Sequence, residues 1–136
     1  MPDNVSSSNL SKVQRFYASS MEGTQFPLGD FLGADFVGHE AASLPYAGRY
    51  EGEAGLLQLM ANIAETWSEI AASDFEYVAS GEAVVAAFRL QATSRATGRS
   101  IDQRVSEFWK LRDGKAVSLQ VFYYDSHLVR EACRTD

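Results

Sequence analysis

The stretch FVGHEAASLPYAGRYEG, residues 36–52, holds the side chains best suited to chemistry: His39 and Glu40 end an apolar run, and a loop with Tyr46, Arg49, Tyr50 and Glu51 follows. An imidazole titrates near neutral pH, so His39 is of a type that can take or deliver a proton. Its competing role is a partly buried histidine bonded to a neighbour such as Tyr17. A regular strand alternates its side chains, which sends Glu40 to the opposite face, paired with Arg49 or another surface base. In the loop, the Tyr46 phenol can donate a hydrogen bond, or simply pack. Tyr17 and Tyr123 combine apolar bodies with polar tips suited to lining a cavity. Glu51 and Glu53 read as the start of a helix, where acidic groups meet its positive end.

Other chemistries find little material. His39 and His127 stand in no metal-ligand spacing, so no metal and no other cofactor is expected. Cys133 is the only cysteine, which rules out an internal disulfide, and it reads as a bystander near a polar tail. Asp125 precedes SHLVREAC and is expected to cap a closing helix by accepting a backbone N–H. With 12 Lys+Arg against 18 Asp+Glu, the charge of −6 opposes phosphate binding, so nucleic acid is not an expected partner. The longest apolar run, Ala83 to Phe88, is too short to span a bilayer, and MPDNVSSSNL lacks the features of a signal peptide. A cytoplasmic protein without a membrane partner is expected.

These groups must be positioned by a single domain over residues 1–136, with residues 1–8 expected to be disordered. Leu10, Val13, Tyr17 and Met21 recur at helical spacing, with Phe16 widening the stripe. FPLGDFLGADF suits a short broken turn leading into a strand over 36–41. From Glu53, Leu56, Leu59 or Met60, Ile63, Trp67 and Ile70 predict a long amphipathic helix. After Asp74, β-branched and aromatic runs broken by SGE, ATGR and RDGK predict four strands joined by three turns. Asp113-Gly114 is the strongest turn signal, because both central residues of a tight hairpin need positive φ. Helices first and meandering strands afterwards mean an α+β fold.

This order resembles the SnoaL-like and ketosteroid-isomerase-like branch of the nuclear transport factor two-like superfamily. VQRFYAS, LPYAGRYEG and FWKLRDGKAVSLQVFYYD carry the resemblance, which spans nearly the whole chain. It implies a curved antiparallel sheet wrapped around its long helix as a cone, an apolar pocket open at one end, and subunits paired through the outer sheet face. Registered against the isomerase, Arg104, Ser106 and Phe108 face the cavity, and Val105, Glu107, Trp109 and Leu111 face outward. The same register sends Ala87, Arg89 and Gln91 inward on one strand. On the last strand it sends Leu119, Val121 and Tyr123 inward, with Gln120 and Phe122 outside. A slip of one residue reverses every assignment. An outward Trp109 implies a homodimer.

The isomerase moves a proton with an Asp base, while a Tyr and a protonated Asp hold the oxyanion. Counted from PYAG, the base position falls on His39, the tyrosine on Phe16 and the protonated acid on Ser106. The cyclases and epoxide hydrolases of this fold carry a carboxylate on the final strand, where Val121 or Phe122 stands. The resemblance thus implies one of two functions. The first is a cofactor-free isomerase, cyclase or epoxide-opening enzyme acting on a small hydrophobic or polyketide-like carbonyl or epoxide compound. His39 would be its acid or base, and Tyr46 or Tyr123 its hydrogen-bond donor. Arg89 would hold an anionic or polar substituent, with Tyr17, Leu57, Met60, Ser106, Phe108 and Val121 lining the site. The second is a binding or interaction module that has lost the catalytic carboxylates.

Overall fold

A computed structural model describes residues 4–136. Helix α1 (Asn4–Glu22) leads through a short helical turn, α2 (Leu28–Phe31), into strand β1 (Leu32–Glu40). There follow β2 (Gly48–Glu51), α3 (Gly52–Thr66), β3 (Trp67–Ser80), β4 (Ala83–Ser94), β5 (Ser100–Arg112), β6 (Lys115–Tyr123) and α4 (Ser126–Cys133). The strands form one curved, unclosed sheet in the order β2-β1-β6-β5-β4-β3. Each pair is antiparallel except β1 with β6, which runs parallel and departs from the expected all-antiparallel sheet. α1 packs on β3 and β4, and α3 on β1 and β2, giving the expected α+β fold with a sheet around its helices. Among the described residues no helix is long and apolar enough to cross a membrane.

Local sequence accounts for much of this. Asp113 and Gly114 take φ of 53° and 77°, and the turn brings Arg112 opposite Lys115. Asp125 caps α4 by accepting the Leu128 N–H at 3.2 Å. α1 buries Val13, Phe16 and Tyr17 on one face.

Several expectations need correction. Of residues 1–8, 4–8 are helical, and 1–3 lie outside the described residues. The Gly81 N–H donates to Ser6 Oγ at 2.7 Å, and Asn9 Nδ2 donates to the Gly81 carbonyl at 3.2 Å, tying this end of α1 to the β3–β4 turn. The long helix stops at Thr66, and Trp67 and Ile70 belong to β3 opposite Ser94 and Ala92. Arg95 donates to the carbonyls of Ala64 and Glu65 at 3.1 Å each, satisfying groups that the end of a helix leaves open. A register shift between Trp67 and Glu69 puts Trp67 and Ile70 toward the interior although they are three residues apart, so helical spacing mimicked the strand. Residues 48–51, expected as loop, pair with β1.

The phase of β4 and β5 is also opposite to the isomerase register. Val105, Trp109 and Leu111 are buried with Glu107 on the inner face, and Val84, Ala86, Phe88, Leu90 and Ala92 are buried on β4. Arg104, Ser106 and Phe108, with Ala87, Arg89 and Gln91, therefore take the outer face. The reason is burial: the inner phase gathers the larger apolar set. On β6 the expected faces hold, with Leu119 and Val121 buried and Phe122 exposed. Trp109 is 0 % exposed, with ring centroids 5.3 Å from both Phe16 and Phe31, and belongs to the core rather than to an outer subunit contact.

Gly55 shows how tightly α3 meets β2, because a Cβ there would lie 2.7 Å from the Tyr50 carbonyl carbon. Alanine is the better helix former by about 1 kcal/mol. Gly55→Ala is nevertheless expected to lower stability by about 1–3 kcal/mol, as overpacking does. Urea unfolding that shows a stabilised variant would contradict this contact.

Candidate active site

Between α1, α3 and the inner sheet face lies a cavity of about 350 Å³. From α3 come Leu56, Leu59, Met60 and Ile63, spaced to share one helix face. Phe88, Leu90, Val105, Leu119 and Val121 form much of the sheet wall. The cavity opens beside Met60 and Ile70, which are 39 % and 49 % exposed. Into this apolar space project Glu40, Glu107, Tyr17 and Tyr123.

Glu40 is 8 % exposed, and its Oε1 has no hydrogen-bond partner among the described residues. Glu107 accepts the hydrogen of the Tyr17 hydroxyl at its Oε1. The sheet register explains how the two carboxyls meet. Glu107 stands opposite Val121 on β6, and Glu40 lies one residue beyond the His39–Gln120 pair, beside Val121 on its other flank. Their backbones are thus two strand spacings apart, roughly 10 Å, with both side chains on the same face.

Burial, then repulsion from Glu107, pushes the Glu40 carboxyl up to about 9. Burial pushes Glu107 up to about 7, and the Tyr17 hydrogen bond restrains the rise. Near neutral pH Glu40 thus holds its proton more firmly than Glu107 does, and each titration influences the other. Burial first, and nearby negative charge, raise Tyr17 and Tyr123 above the ordinary phenol range, so both stay neutral.

Two indoles stand behind these groups. Trp109 Nε1 donates to the Tyr17 hydroxyl at 2.8 Å, and Trp67 Nε1 donates to the Tyr46 hydroxyl at 3.2 Å. The hydroxyls of Tyr46 and Tyr123 are 2.6 Å apart. The loop that carries Tyr46 is pinned by Tyr50, whose hydroxyl donates to the Tyr46 carbonyl at 2.8 Å and accepts from Asn62 of α3 at 3.3 Å.

Of the residues singled out from sequence, the cavity brings together Tyr17, Met60, Val121 and Tyr123. Tyr46 is 3 % exposed and lies behind Tyr123 rather than on the wall, because its loop folds back against Trp67. His39 is corrected to the outer face, flanked by Arg49 and Gln120, since its strand neighbour Glu40 points inward. Arg89 is likewise outside, bonded to Asp102 through Nε at 2.8 Å and Nη2 at 2.6 Å, and so needs no ligand anion. Ser106 and Phe108 share that outer face. Leu57, 49 % exposed, points away from the wall formed by its neighbour Leu56. Sequence reasoning missed Glu40 and Glu107 as cavity groups. The signal for Glu107 was present: its strand phase is the one that also holds Val105, Trp109 and Leu111.

The raised carboxyls make folding depend on pH. A carboxyl that titrates higher in the folded chain than in the unfolded one favours folding while protonated, and that advantage is lost as pH rises from the unfolded value through the folded one. For Glu40 the loss runs from about 4.5 to about 9. Glu40→Gln is expected to be more stable than the parent at pH 8 by about 1–2 kcal/mol, with the difference shrinking toward pH 5. Thermal melts across that range, read as the difference between the two proteins, check this; an equal difference at both pH values contradicts it.

The family model described as "SnoaL-like domain" matches residues 13–119. No curated protein sequence matches the chain. Among solved structures, an NTF2-like protein from Burkholderia xenovorans LB400 superimposes with a TM-score of 0.85 at 23% identity, covering 95% of this chain and 98% of that one. An NTF2-like protein from Burkholderia thailandensis E264 gives 0.82 at 25% identity, over 93% and 98%. A protein from Jannaschia sp. CCS1, provisionally called a SnoaL-like polyketide cyclase, gives 0.79 at 16% identity, over 100% and 98%. By the residues it matches, this chain belongs to the SnoaL-like domain family.

Proposed function

We propose that this protein is a cofactor-independent enzyme that moves a proton on a small, neutral, largely apolar carbonyl compound, as an isomerase or cyclase does. The observation that carries this reading is the pair of carboxyls facing one apolar cavity, Glu107 bonded by the Tyr17 hydroxyl and Glu40 with its Oε1 unpartnered among the described residues. Proton transfer from carbon needs a base near its working pH and an acid for the developing oxygen charge, and such a pair supplies both. Anionic substrates are disfavoured, because among the described residues the cavity lining offers them buried carboxyls and no cation. The cyclase name given to the Jannaschia protein is in keeping with such chemistry. Opening of an epoxide fits less well, since it needs an activated water beside the acid.

2-Tetralone, a compact ketone with acidic hydrogens beside its carbonyl, is a suitable probe. Hydrogen–deuterium exchange at its C1, followed by NMR in D₂O, is expected to exceed the buffer rate in the parent protein. Glu40→Gln and Glu107→Gln are each expected to lower the enzyme-dependent rate by roughly 100-fold or more. Bound ketone that exchanges no faster than in buffer would leave a binding module as the correct account.

Two subunits are proposed to meet through the outer sheet face, where Phe122 is 54 % exposed and Phe108 lies in the adjacent strand, without Trp109. Sedimentation is expected to give a dimer that Phe122→Lys weakens. A monomeric parent at micromolar concentration would contradict the pairing.

A further inference from the structure

Resting on that proton-transfer reading, we propose that Glu107 takes the substrate's proton, while Tyr123 and Glu40 together donate hydrogen bonds to the substrate's oxygen. This reverses the roles implied by the isomerase resemblance, in which the β1 position is the base and a tyrosine and the β5 acid hold the oxygen.

The polarity of the hydrogen bonds decides the assignment. An indole N–H only donates, and a phenol has one hydrogen. Trp109 occupies a lone pair of the Tyr17 oxygen, and the Tyr17 hydrogen goes to Glu107. Tyr17 therefore has no hydrogen for a ligand, and Glu107 has a donor that favours its ionised form. On the other wall, Trp67 occupies a lone pair of Tyr46. If Tyr123 donated to Tyr46, the Tyr46 hydrogen would be buried with no acceptor among the described residues, an arrangement that folded proteins avoid. Tyr46 therefore donates to Tyr123, and the hydrogen of Tyr123 points into the cavity.

Glu40 has the opposite surroundings to Glu107. No donor anchors its Oε1 among the described residues, so it retains its proton and can share it with a ligand oxygen. It lies beside Val121, and Tyr123 stands two residues further along β6 on the same face. Such diagonal neighbours are roughly 7–8 Å apart at the backbone, close enough for both hydrogens to reach one oxygen between them. Glu107 faces that point from the other flank of Val121.

In the step, the Glu107 carboxylate takes a proton from the carbon beside the carbonyl. The C–H electron pair becomes a C=C bond, and the carbonyl π pair moves onto the oxygen held by Tyr123 and Glu40. Glu107 then returns the proton to a different carbon of the conjugated system, which completes an isomerisation. Alternatively, the enolate carbon bonds to a second carbonyl carbon of the same molecule, and the Glu107 proton neutralises the new alkoxide, which completes a cyclisation.

2-Naphthol, the aromatic counterpart of the 2-tetralone enol, probes the oxygen site directly. Tyr123→Phe is expected to weaken its binding by roughly fivefold, the usual effect of losing a hydrogen bond between neutral groups. Tyr17→Phe is expected to change naphthol affinity by less than about threefold, within the spread of indirect effects. In 2-tetralone exchange, Tyr17→Phe should move the acidic limb of the rate profile to higher pH, because Glu107 loses the donor that restrains its titration. Thermal melts establish that both variants are folded. Weaker naphthol binding in Tyr17→Phe than in Tyr123→Phe, or no naphthol binding by the parent, overturns the assignment. Absent exchange with the naphthol contrast intact defeats the enzymatic reading and leaves Tyr123 as the group that meets a ligand oxygen.

Discussion

The Tyr17 hydroxyl joins the first helix to the middle of the sheet, taking a hydrogen from Trp109 and giving its own to Glu107. This contact combines a structural need with a chemical one. Trp109 is wholly buried among Phe16, Phe31 and Phe36, and its N–H must find an acceptor there. Tyr17 provides that acceptor, and its remaining hydrogen makes a buried carboxyl on β5 tolerable. The aromatic core and the cavity wall thus share one hydroxyl, and α1 cannot turn about its axis without disturbing both.

A similar arrangement repeats on the other wall, where Trp67 backs Tyr46 and Tyr46 backs Tyr123. In both cases an indole at the rear donates to a phenol oxygen. The two ends differ in what they meet: one reaches a carboxyl and the other reaches open cavity. Glu40, with an unpartnered oxygen, adds a group whose burial is costly and which packing alone does not explain. Stability given up at such a position is a common mark of a functional site.

The outer face of the sheet carries His39 and Arg89, two of the side chains whose types suit chemistry. His39 lies between Arg49 and Gln120, and Arg89 is bonded to Asp102. The Arg89–Asp102 pair is exposed, and such a pair contributes little to stability. The division between an inner face with carboxyls and phenols and an outer face with histidine and arginine follows from side-chain alternation alone, once its phase is known.

Much of the fold was legible in the sequence by itself: the helical stripe Val13–Phe16–Tyr17, the stripe of α3, the Asp113-Gly114 hairpin and the Asp125 cap. These are local, since each depends on spacing or backbone preference within a few residues. The family resemblance was legible too, and the matched domain covers most of the chain. The site was less so, because a two-residue period reveals alternation but leaves its phase to other information. The base, tyrosine and acid positions fell on His39, Phe16 and Ser106, and in each case the next residue, Glu40, Tyr17 or Glu107, carries the carboxyl or phenol in the cavity. On β4 and β5 the apolar content of Phe88, Leu90, Val105, Trp109 and Leu111 marks the buried phase, opposite to the register of the isomerase. What only the tertiary structure decided was the meeting of residues distant in the chain. β1 pairs in parallel with β6, and α1 lies across the sheet, so that Glu40, Glu107, Tyr17 and Tyr123 share one space. Their approach depends on how the whole sheet curves and packs on its helices, which no local pattern records.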